Sequence, residues 1–274
     1  MTARAIVEVC FGPQMGSKAV VAPGGVLTIG RDERAGLRIA DEALAPIHLE
    51  VAWDGRAGRV SHRGGRAWTM IDGQPIEAAP IEHGQWIRAG GTDFTFHVEA
   101  FTPPAAPREP DVAAAAARAL GWLRGQDGLY AILDVARDPR IAALMREACE
   151  PWQPLFDGLG AARQAEAAPQ LVALASDSRA LAELVREGWG ERWAVWLTSK
   201  QGPAAVRRHL RQFLLANLPG EPDTVYFRFY DPDVLRVVLE TSTDEERRKW
   251  FDGVVDGYIG EDPTAASGWW LQRG

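Results

Sequence analysis

The sequence has little cysteine, no surplus of basic residues and no long apolar run. Its two cysteines, Cys10 and Cys149, lie far apart, which argues against a structural disulfide or a zinc site and indicates free thiols in a reducing compartment. The net charge of −7 argues against a general binder of nucleic acid or of anionic membranes. No apolar stretch approaches the ~20 residues that span a bilayer, and the N-terminus lacks the apolar core of a signal peptide. These absences predict a cytoplasmic protein without membrane insertion.

Patterns that carry catalysis are also missing. The histidines are scattered without HxxxH or HxxE spacing, and neither cysteine lies within four residues of a histidine. Ser199 follows a predicted strand but has no G-x-S-x-G sequence around it. His209 and Asp231 could form an acid–base pair, but His209 lies beside arginines on a predicted helix and Asp231 is explained as a helix cap. The sequence therefore indicates neither an enzyme nor a cofactor.

The first 100 residues alternate short β-rich segments with turn sequences such as Asp54-Gly55. The predicted strands are Ile6–Phe11, Val26–Ile29, Leu37–Ile39, His48–Trp53, Arg59–His62, Trp68–Ile71, Gln85–Ile87 and Phe94–Val98. Closely spaced short strands without a helix-length periodic segment predict an all-β antiparallel sandwich over residues 1–100. With 274 residues, the chain is long enough for a second domain.

A segment rich in proline and alanine, residues 101–118, predicts a linker that lets the two halves fold independently. Residues 119–274 then alternate strand-like and helix-like segments, which indicates an α/β domain with an at least partly parallel sheet. The predicted strands are Leu129–Val135, Leu171–Ala175, Trp193–Leu197 and Val225–Tyr230. The predicted helices with both ends assigned are Ala113–Leu123, Pro139–Glu150, Arg179–Trp189 and Pro203–Asn217. Two more helices are predicted from their first residues, one capped by Asp231 and one that starts with a capping box from Thr243 to Glu246. The predicted fold class is therefore multidomain.

Short motifs in the first half resemble those of the forkhead-associated (FHA) domain. They are Ile29-Gly30-Arg31, Leu37-Arg38-Ile39-Ala40-Asp41, His48, Ile71-Asp72-Gly73-Gln74, Gly84 and Phe94-Thr95-Phe96. The resemblance implies a sandwich that binds phosphothreonine peptides through loops at one end. The family's usual contacts are an arginine after the glycine, a serine three residues before the histidine, and a threonine or asparagine in a later loop. Arg31 matches the arginine, and His48 matches the histidine, which is mainly structural in the family.

The other phosphopeptide-loop positions lack the groups that the family uses. The serine position is Ala45, which has no hydroxyl, and the neighbouring Pro46 has no backbone N–H. The usual Asn-Gly pair falls on Ala67 and Trp68, whose side chains cannot hold a peptide backbone. A phosphate needs several converging donors, so Arg31 alone is insufficient. We expect a docking or scaffolding module that does not depend on phosphate.

The stretch from Val225 to Leu239 places one arginine among aromatic residues. Val225–Tyr230 alternates with the period of a strand, and Asp231 with Pro232 starts a helix. Arg228 is therefore predicted to point from an aromatic strand immediately before a capped helix. One interpretation is a buried strand whose arginine pairs with a nearby carboxylate, and the other is a surface that binds a partner.

Motifs upstream favour the second interpretation. They are Leu129-Tyr130-Ala131-Ile132-Leu133-Asp134, Ala168-Pro169-Gln170-Leu171-Val172, Trp189-Gly190 and His209-Leu210-Arg211, followed by Phe227-Arg228-Phe229-Tyr230-Asp231-Pro232. Together they resemble the effector-adaptor (chaperone) domain of bacterial type VI secretion systems, the family called domain of unknown function 4123. The resemblance marks as partner-binding or surface-shaping residues Tyr130, Asp134, His209, Arg211, Arg228, Tyr230 and Asp231. Arg211 and Arg228 are expected to pair with Asp134 or Asp231.

The resemblance implies an adaptor that binds a toxic effector protein and helps load it onto the spike protein of the secretion machine, without a cofactor. A second hypothesis is a signalling adaptor whose FHA half recruits a phosphothreonine-containing partner. A third is an effector enzyme, for which no constellation of residues is present in the sequence. The partners expected are thus proteins, with no nucleic acid.

Overall fold

A computed structural model describes residues 3–156, 168–217, 224–262 and 267–272. The chain divides into two compact units. Unit 1 consists of Met1–Pro103 together with Met145–Trp152, and unit 2 consists of Pro104–Leu144 and Gln153–Gly274. The domain ranges inferred from the sequence stay a prediction, and they differ from this division at residues 145–152 and in the linker, residues 101–118, which the division splits after Pro103.

Unit 1 contains an antiparallel β-sandwich. Its strands are β1 (Ala5–Phe11), β2 (Lys18–Val21), β3 (Gly25–Gly30), β4 (Leu37–Arg38), β5 (Leu49–Trp53), β6 (Gly58–His62), β7 (Thr69–Ile71), β8 (Gln74–Ile76), β9 (Ala78–Ile81), β10 (Trp86–Ala89) and β11 (Thr92–Val98). One sheet has the order β2-β1-β11-β10-β7-β8, and the other has the order β4-β3-β5-β6-β9. Neighbouring strands pair antiparallel apart from the short parallel pair β3–β4. The predicted all-β sandwich is confirmed.

Alternating apolar side chains of both sheets form the core of unit 1. Val7 on β1 lies opposite Phe96 on β11, and both are fully buried. Ile29 and Val51 contribute from the second sheet to the same core. Removal of this apolar surface from water is the main driving force for the sandwich.

Three strands of the sandwich were not predicted from the sequence: β2, β8 and β9. All three lie at an edge of a sheet. Pro75 and Pro80 interrupt the sequence pattern of β8 and β9, and a proline is tolerated at an edge because its missing N–H costs no ladder hydrogen bond. Edge strands with proline therefore give a weak sequence signal.

A buried charged cluster connects β1 and β2 to the second segment of unit 1. The Glu8 carboxylate accepts hydrogen bonds from Arg146 Nε at 3.1 Å and from Trp152 Nε1 at 2.7 Å, and it lies 3.5 Å from Lys18 Nζ. The Lys18 side chain is fully buried and lies over the Trp152 ring, 4.8 Å from its centre. Burial lowers the pKa of Lys18, and Glu8 opposes this shift. Residues 145–152 thus supply partners to two buried charges of the sandwich.

The chain from Pro110 onward mixes strands and helices. The strands are β12 (Leu129–Leu133), β13 (Trp152–Pro154), β14 (Gln170–Ala173), β15 (Ala194–Thr198), β16 (Leu215–Asn217), β17 (Thr224–Tyr226), β18 (Gly257–Glu261) and β19 (Gly268–Gln272). The α-helices within the described residues are α1 (Pro110–Leu123), α2 (Pro139–Ala148), α3 (Arg179–Gly188), α4 (Pro203–Leu210), α5 (Pro232–Thr241) and α6 (Asp244–Phe251). Six strands form one sheet of order β13-β14-β12-β15-β18-β19, and β16 pairs with β17 in a separate sheet. The predicted multidomain fold, with a second domain of alternating strands and helices, is confirmed.

The direction of the strands in the six-stranded sheet differs from the prediction. The pairings β12–β14, β12–β15, β15–β18 and β18–β19 are all antiparallel, so the expectation of a partly parallel sheet is wrong for this part of it. A helix between two strands is typical of parallel βαβ units, but it does not force the second strand to run in the direction of the first. Strand order and direction depend on contacts between distant residues.

The start of each C-terminal helix agrees with the sequence. Asp231 caps α5 by accepting hydrogen bonds from the backbone N–H groups of Asp233 and Val234. Thr243 and Glu246 form the predicted capping box at α6. Both caps are confirmed because the residues that make them are neighbours in sequence.

Two predicted elements in unit 2 end well before their predicted ends, by four residues or more. The helix predicted over residues 203–217 stops at Leu210, and β16 follows a 3₁₀ turn over Arg211–Phe213. The strand predicted over residues 225–230 stops at Tyr226. The apolar pattern of residues 210–214 was compatible with a longer helix, but pairing of β16 with β17 replaces it.

Helix α1 also begins earlier than its predicted start and lies partly within the segment assigned to the linker. It starts at Pro110, where a proline is favoured because its φ is preset and its missing N–H would have no helical partner. Arg108 donates hydrogen bonds to the backbone carbonyls of Arg186, at 2.9 Å, and of Trp189. Residues 104–123 therefore belong to unit 2.

Candidate functional site

The loops after β3, before β5 and after β6 lie at one end of the sandwich. They are adjacent because Ile29 on β3 pairs with Leu49 on β5, which in turn pairs with His62 on β6. These loops carry all the positions that the sequence matched to a phosphopeptide site: Arg31, Ala45, Pro46, His48, Ala67 and Trp68. The structure therefore places the predicted positions at one end.

His48 holds these loops together from within. Its Nδ1 accepts a hydrogen bond from the backbone N–H of Ala45 at 3.1 Å, and its own backbone N–H donates to Ile29 at 2.8 Å. Its carbonyl oxygen accepts from the N–H of Arg63 at 2.7 Å. The ring is fully buried, and burial lowers the pKa of His48. His48 is thus a neutral structural residue.

The rim beside Arg31 carries charges of both signs. Arg31, Asp32, Glu33, Arg34 and Pro46 line an open depression of about 500 Å³. Arg34 bonds to Asp32 and holds the pKa of that carboxyl at about 2, so Asp32 is ionised at neutral pH. The lining thus contains two arginines and two carboxylates, and Asp32 is already paired with Arg34.

The later loop presents an aromatic surface. Trp68 has 53% of its surface exposed and stacks on His62, with ring centres 5.7 Å apart. Ala67 is half-buried and has an apolar side chain. This loop can contact another protein through an indole ring, but it lacks the amide group that holds a peptide backbone.

In unit 2, four charged residues meet at the end of β12; we call them the Asp134 cluster. Its members are Asp134, Arg137, Arg228 and Asp231. The Asp134 carboxylate accepts a hydrogen bond from Arg228 and lies 3.4 Å from Arg137 Nε, while Arg137 Nη2 donates to Asp231 at 2.7 Å. Asp231 in turn caps α5. The cluster therefore connects the end of β12, the turn that contains Arg228 and the start of a helix.

The Asp134 cluster is buried on one side and exposed on the other. The Asp134 side chain is 2% exposed, whereas that of Arg228 is 54% exposed. The hydrogen bond to Asp134 raises the pKa of Arg228. The Arg228 guanidinium also lies over the ring of Tyr230, 5.7 Å from its centre. A buried carboxylate and an aromatic ring thus hold one cation at the surface in a defined position.

Arg228 differs from the prediction in its backbone. It follows β17 in a turn closed by the hydrogen bond from Asp231 N–H to its carbonyl oxygen at 3.1 Å, so it does not project from a strand. Its pairing with Asp134 agrees with the expected geometry. Arg211 lies in the 3₁₀ turn after α4 and is half-buried.

The other predicted residues have internal partners. His209 is buried, and its Nε2 lies 2.8 Å from the carbonyl oxygen of Trp250, while Asp231 bonds to Arg137 and to its own helix. The structure therefore does not pair His209 with Asp231. Tyr130 is buried and donates its hydroxyl to the carbonyl oxygen of Gln201 at 2.7 Å.

Two further buried residues of unit 2 are Tyr230, which the sequence indicated, and Glu261, which it did not. Burial raises the pKa of Tyr230, whose ring packs edge-on against Phe229. Glu261 is buried and accepts hydrogen bonds from the backbone N–H groups of Gly190 and Arg192. Its only sequence signal is an acidic residue at the end of an otherwise apolar strand.

Within the described residues, no group of three or more histidine, cysteine, aspartate or glutamate side chains is arranged to hold a metal ion. None of the helices that the structure describes has the length and apolar character that a membrane span requires.

Comparisons with known proteins match both halves of the chain. Residues 129–249 match the family model of a domain of unknown function (DUF4123), a region that starts at β12 and contains the Asp134 cluster. No curated protein matches the chain.

Solved structures of FHA domains align with the other part of the chain. An FHA domain from Chlamydia trachomatis is 16% identical, covers 34% of this chain and 96% of its own, and has a TM-score of 0.33. One from Mycobacterium tuberculosis is 22% identical, covers 36% of this chain and 98% of its own, and has a TM-score of 0.31. One from Arabidopsis thaliana is 19% identical, covers 39% of this chain and 92% of its own, and has a TM-score of 0.35. The chain thus combines a β-sandwich similar to FHA domains with a region that matches the DUF4123 family model.

Proposed function

We propose that this protein is a type VI secretion adaptor that binds a toxic effector protein and helps load it onto the spike protein. The observation that carries the proposal is the match of residues 129–249 to the DUF4123 family, within which the ordered motifs of the effector-adaptor domain occur. An adaptor of this kind works by binding and release in the cytoplasm, and it needs neither a cofactor nor a catalytic group.

The Asp134 cluster supports a binding role for unit 2. Arg228 is half-exposed, and Asp134 and Tyr230 hold its guanidinium in place. An arginine fixed in this way loses little side-chain entropy on binding, and arginine is among the residues enriched at interface hot spots. We assign the main effector contact to this surface.

The sandwich is proposed to add a second docking contact that does not depend on phosphate. Arg31 is the one matched phosphate-binding side chain of the predicted set, and the two arginines and two carboxylates that line its depression leave it without a net positive charge. Trp68 offers an exposed aromatic ring at the same end. These features favour a protein surface over a phosphothreonine pocket.

The alternative is a signalling adaptor that recruits a phosphothreonine-containing partner. The exposed Arg31 at the rim of the depression is the observation that favours it. The two functions differ in their sensitivity to phosphatase, because only the alternative needs a phosphate on the partner.

The test is a pull-down of the tagged full chain from its native cell, with mass spectrometry of the bound proteins. We expect a toxic effector and the spike protein to be enriched by the wild type and by Arg248→Ala, an exposed arginine outside the cluster, and to be lost with Arg228→Ala. Enrichment of a phosphoprotein that disappears after phosphatase treatment would support signalling instead. Absence of both effector and spike protein would refute the secretion proposal.

A further inference from the structure

Glu261 is a buried carboxylate at the end of β18, and both of its oxygens are used. Oε2 accepts a hydrogen bond from the backbone N–H of Gly190, and Oε1 accepts one from that of Arg192. Gly190 and Arg192 both have positive φ, at 94° and 57°. The carboxylate therefore holds a short turn whose backbone conformation is uncommon for a residue with a side chain, such as Arg192.

The turn held by Glu261 is linked to the first turn of α5. The Arg192 side chain forms an ion pair with Asp233, which follows the helix cap Asp231 by two residues. Asp231 also accepts a hydrogen bond from Arg137 of the Asp134 cluster. The start of α5 is thus bound from two sides, by Arg192 and by Arg137.

The same contacts continue to the exposed cation. Arg137 lies 3.4 Å from the Asp134 carboxylate, which accepts a hydrogen bond from Arg228. The turn between Arg228 and Asp231 is closed by the backbone hydrogen bond between these two residues. Movement at the start of α5 would therefore change both the backbone and the side-chain partner of Arg228.

Charged groups near Glu261 lie on the turn itself and on α5, and one of them, Glu191 of the turn, pairs with Arg108 at 3.7 Å. Arg192 favours the ionised carboxylate, and Asp233 from α5 disfavours it. The next residue along the chain, Asp262, is paired with Arg236 of α5 at 3.2 Å. Burial is the largest influence and raises the pKa of Glu261 to about 7, although the two backbone N–H groups oppose this shift.

A proton on Glu261 changes what the turn can bond to. The ionised carboxylate offers an acceptor to each of the two N–H groups, whereas a carboxylic acid turns one oxygen into a hydroxyl donor that faces an N–H. One of the two hydrogen bonds is then lost. The buried acid is relieved of its desolvation cost, but the turn that carries Arg192 is held less firmly.

We infer that Glu261 is a positioning residue for the effector-binding surface: in its ionised form it fixes the turn at residues 190–192, and through Arg192, Asp233 and the Asp134 cluster it sets the position of Arg228. When Glu261 is protonated, the turn is held less firmly and Arg228 no longer keeps the position in which it binds the effector. This inference rests on the proposed function, because it describes how the same surface is regulated.

The direct test is an NMR pH titration of the full chain, which needs no partner. In the wild type, the backbone amide signals of Gly190 and Arg192 and the Nε–H signal of Arg228 should shift together with one midpoint near pH 7. In Glu261→Gln, all three signals should lose this transition. Asp233→Asn removes the ion pair with Arg192 but keeps Glu261. In this variant the amide signals of Gly190 and Arg192 should still shift with pH, while the Arg228 signal should not.

The functional test is capture of the effector identified by the pull-down, at pH 6 and pH 8. If only the ionised form binds, a midpoint of 7 makes the apparent affinity about tenfold weaker at pH 6 than at pH 8. The ratio of the apparent affinity at pH 8 to that at pH 6 should fall to about one in Glu261→Gln. It should stay near tenfold in Glu245→Gln, which changes an exposed glutamate and serves as the control.

Outcomes for the inference and for the proposed function are distinguishable. If the Arg228 signal does not follow Gly190 and Arg192, or if the transition survives in Glu261→Gln, the inference is wrong whatever the partner. If the three signals shift as expected but no effector is captured at either pH, the positioning role stands and the proposed function fails.

Discussion

The contact between Asp134 and Arg228 gives the sharpest test of the Asp134 cluster. Asp134 is almost completely buried, whereas Arg228 is half-exposed. Arg228→Ala leaves the buried carboxylate with Arg137, 3.4 Å away, as its remaining side-chain cation within the described residues. Because solvent already screens the pair, we expect a loss of about 1 to 2 kcal/mol in the free energy of unfolding rather than the 3 to 5 kcal/mol of a fully buried pair.

A domain of this size has roughly 5 to 15 kcal/mol of stability, so Arg228→Ala should keep its fold. The measurement is urea unfolding followed by tryptophan fluorescence and circular dichroism, in a double-mutant cycle with Asp134→Asn. We expect a coupling energy of about 1 kcal/mol between the two substitutions. Arg248→Ala is the matched control and should change stability by less than about 0.5 kcal/mol.

Effector capture should respond differently from stability. Arg228→Ala removes the exposed cation and should abolish capture, and Arg228→Lys should restore it only in part because an ammonium group cannot reproduce the planar contacts of a guanidinium. If Arg228→Ala unfolds the protein, or if it captures the effector normally while the cycle shows no coupling, the role given to the cluster is wrong.

Two further predictions concern unit 1. Ala45 has no hydroxyl, its backbone N–H is bonded to His48, and Pro46 has no N–H. A peptide array probed with the full chain should therefore show less than about tenfold preference, ~1.4 kcal/mol, for phosphothreonine over threonine, and a larger preference would contradict this interpretation of the loops. Trp152→Phe removes the indole donor from the buried Glu8 carboxylate and should lower the free energy of unfolding by about 2 kcal/mol in urea titrations. The control Trp68→Phe changes an exposed ring and should cost less than about 0.5 kcal/mol; equal costs would show that the buried contact contributes nothing.

Local sequence signals predicted the features that depend on neighbouring residues. The cap at Asp231 and the capping box from Thr243 to Glu246 were correct because each needs only three or four residues in a row. The alternation that predicted the sandwich is local in the same sense. The strand that ends at Tyr226 was overextended because the following aromatic residues keep the same period after the chain has turned.

Features that depend on distant residues were not predictable in this way. The antiparallel directions of β14, β12, β15 and β18 are set by pairings between segments far apart in the chain. The early end of α4 has a nearer cause, because β16 pairs with β17 a few residues further along. Arg137 and Glu261 carry no motif, and their importance follows from what they contact. Their partners come from turns and helix starts that only the folded chain brings together.

The assignment of Met145–Trp152 to unit 1 has a consequence for exchange of this module between genes. A sandwich transplanted as a single cassette from the N-terminal part of the chain would leave behind the donors that Glu8 bonds to and the ring that lies over Lys18. Recombination that keeps the module intact must carry a second, short piece from the middle of the gene. Substitutions in these two parts of the gene should therefore occur together, and a chimera that exchanges unit 1 alone needs three crossovers instead of one.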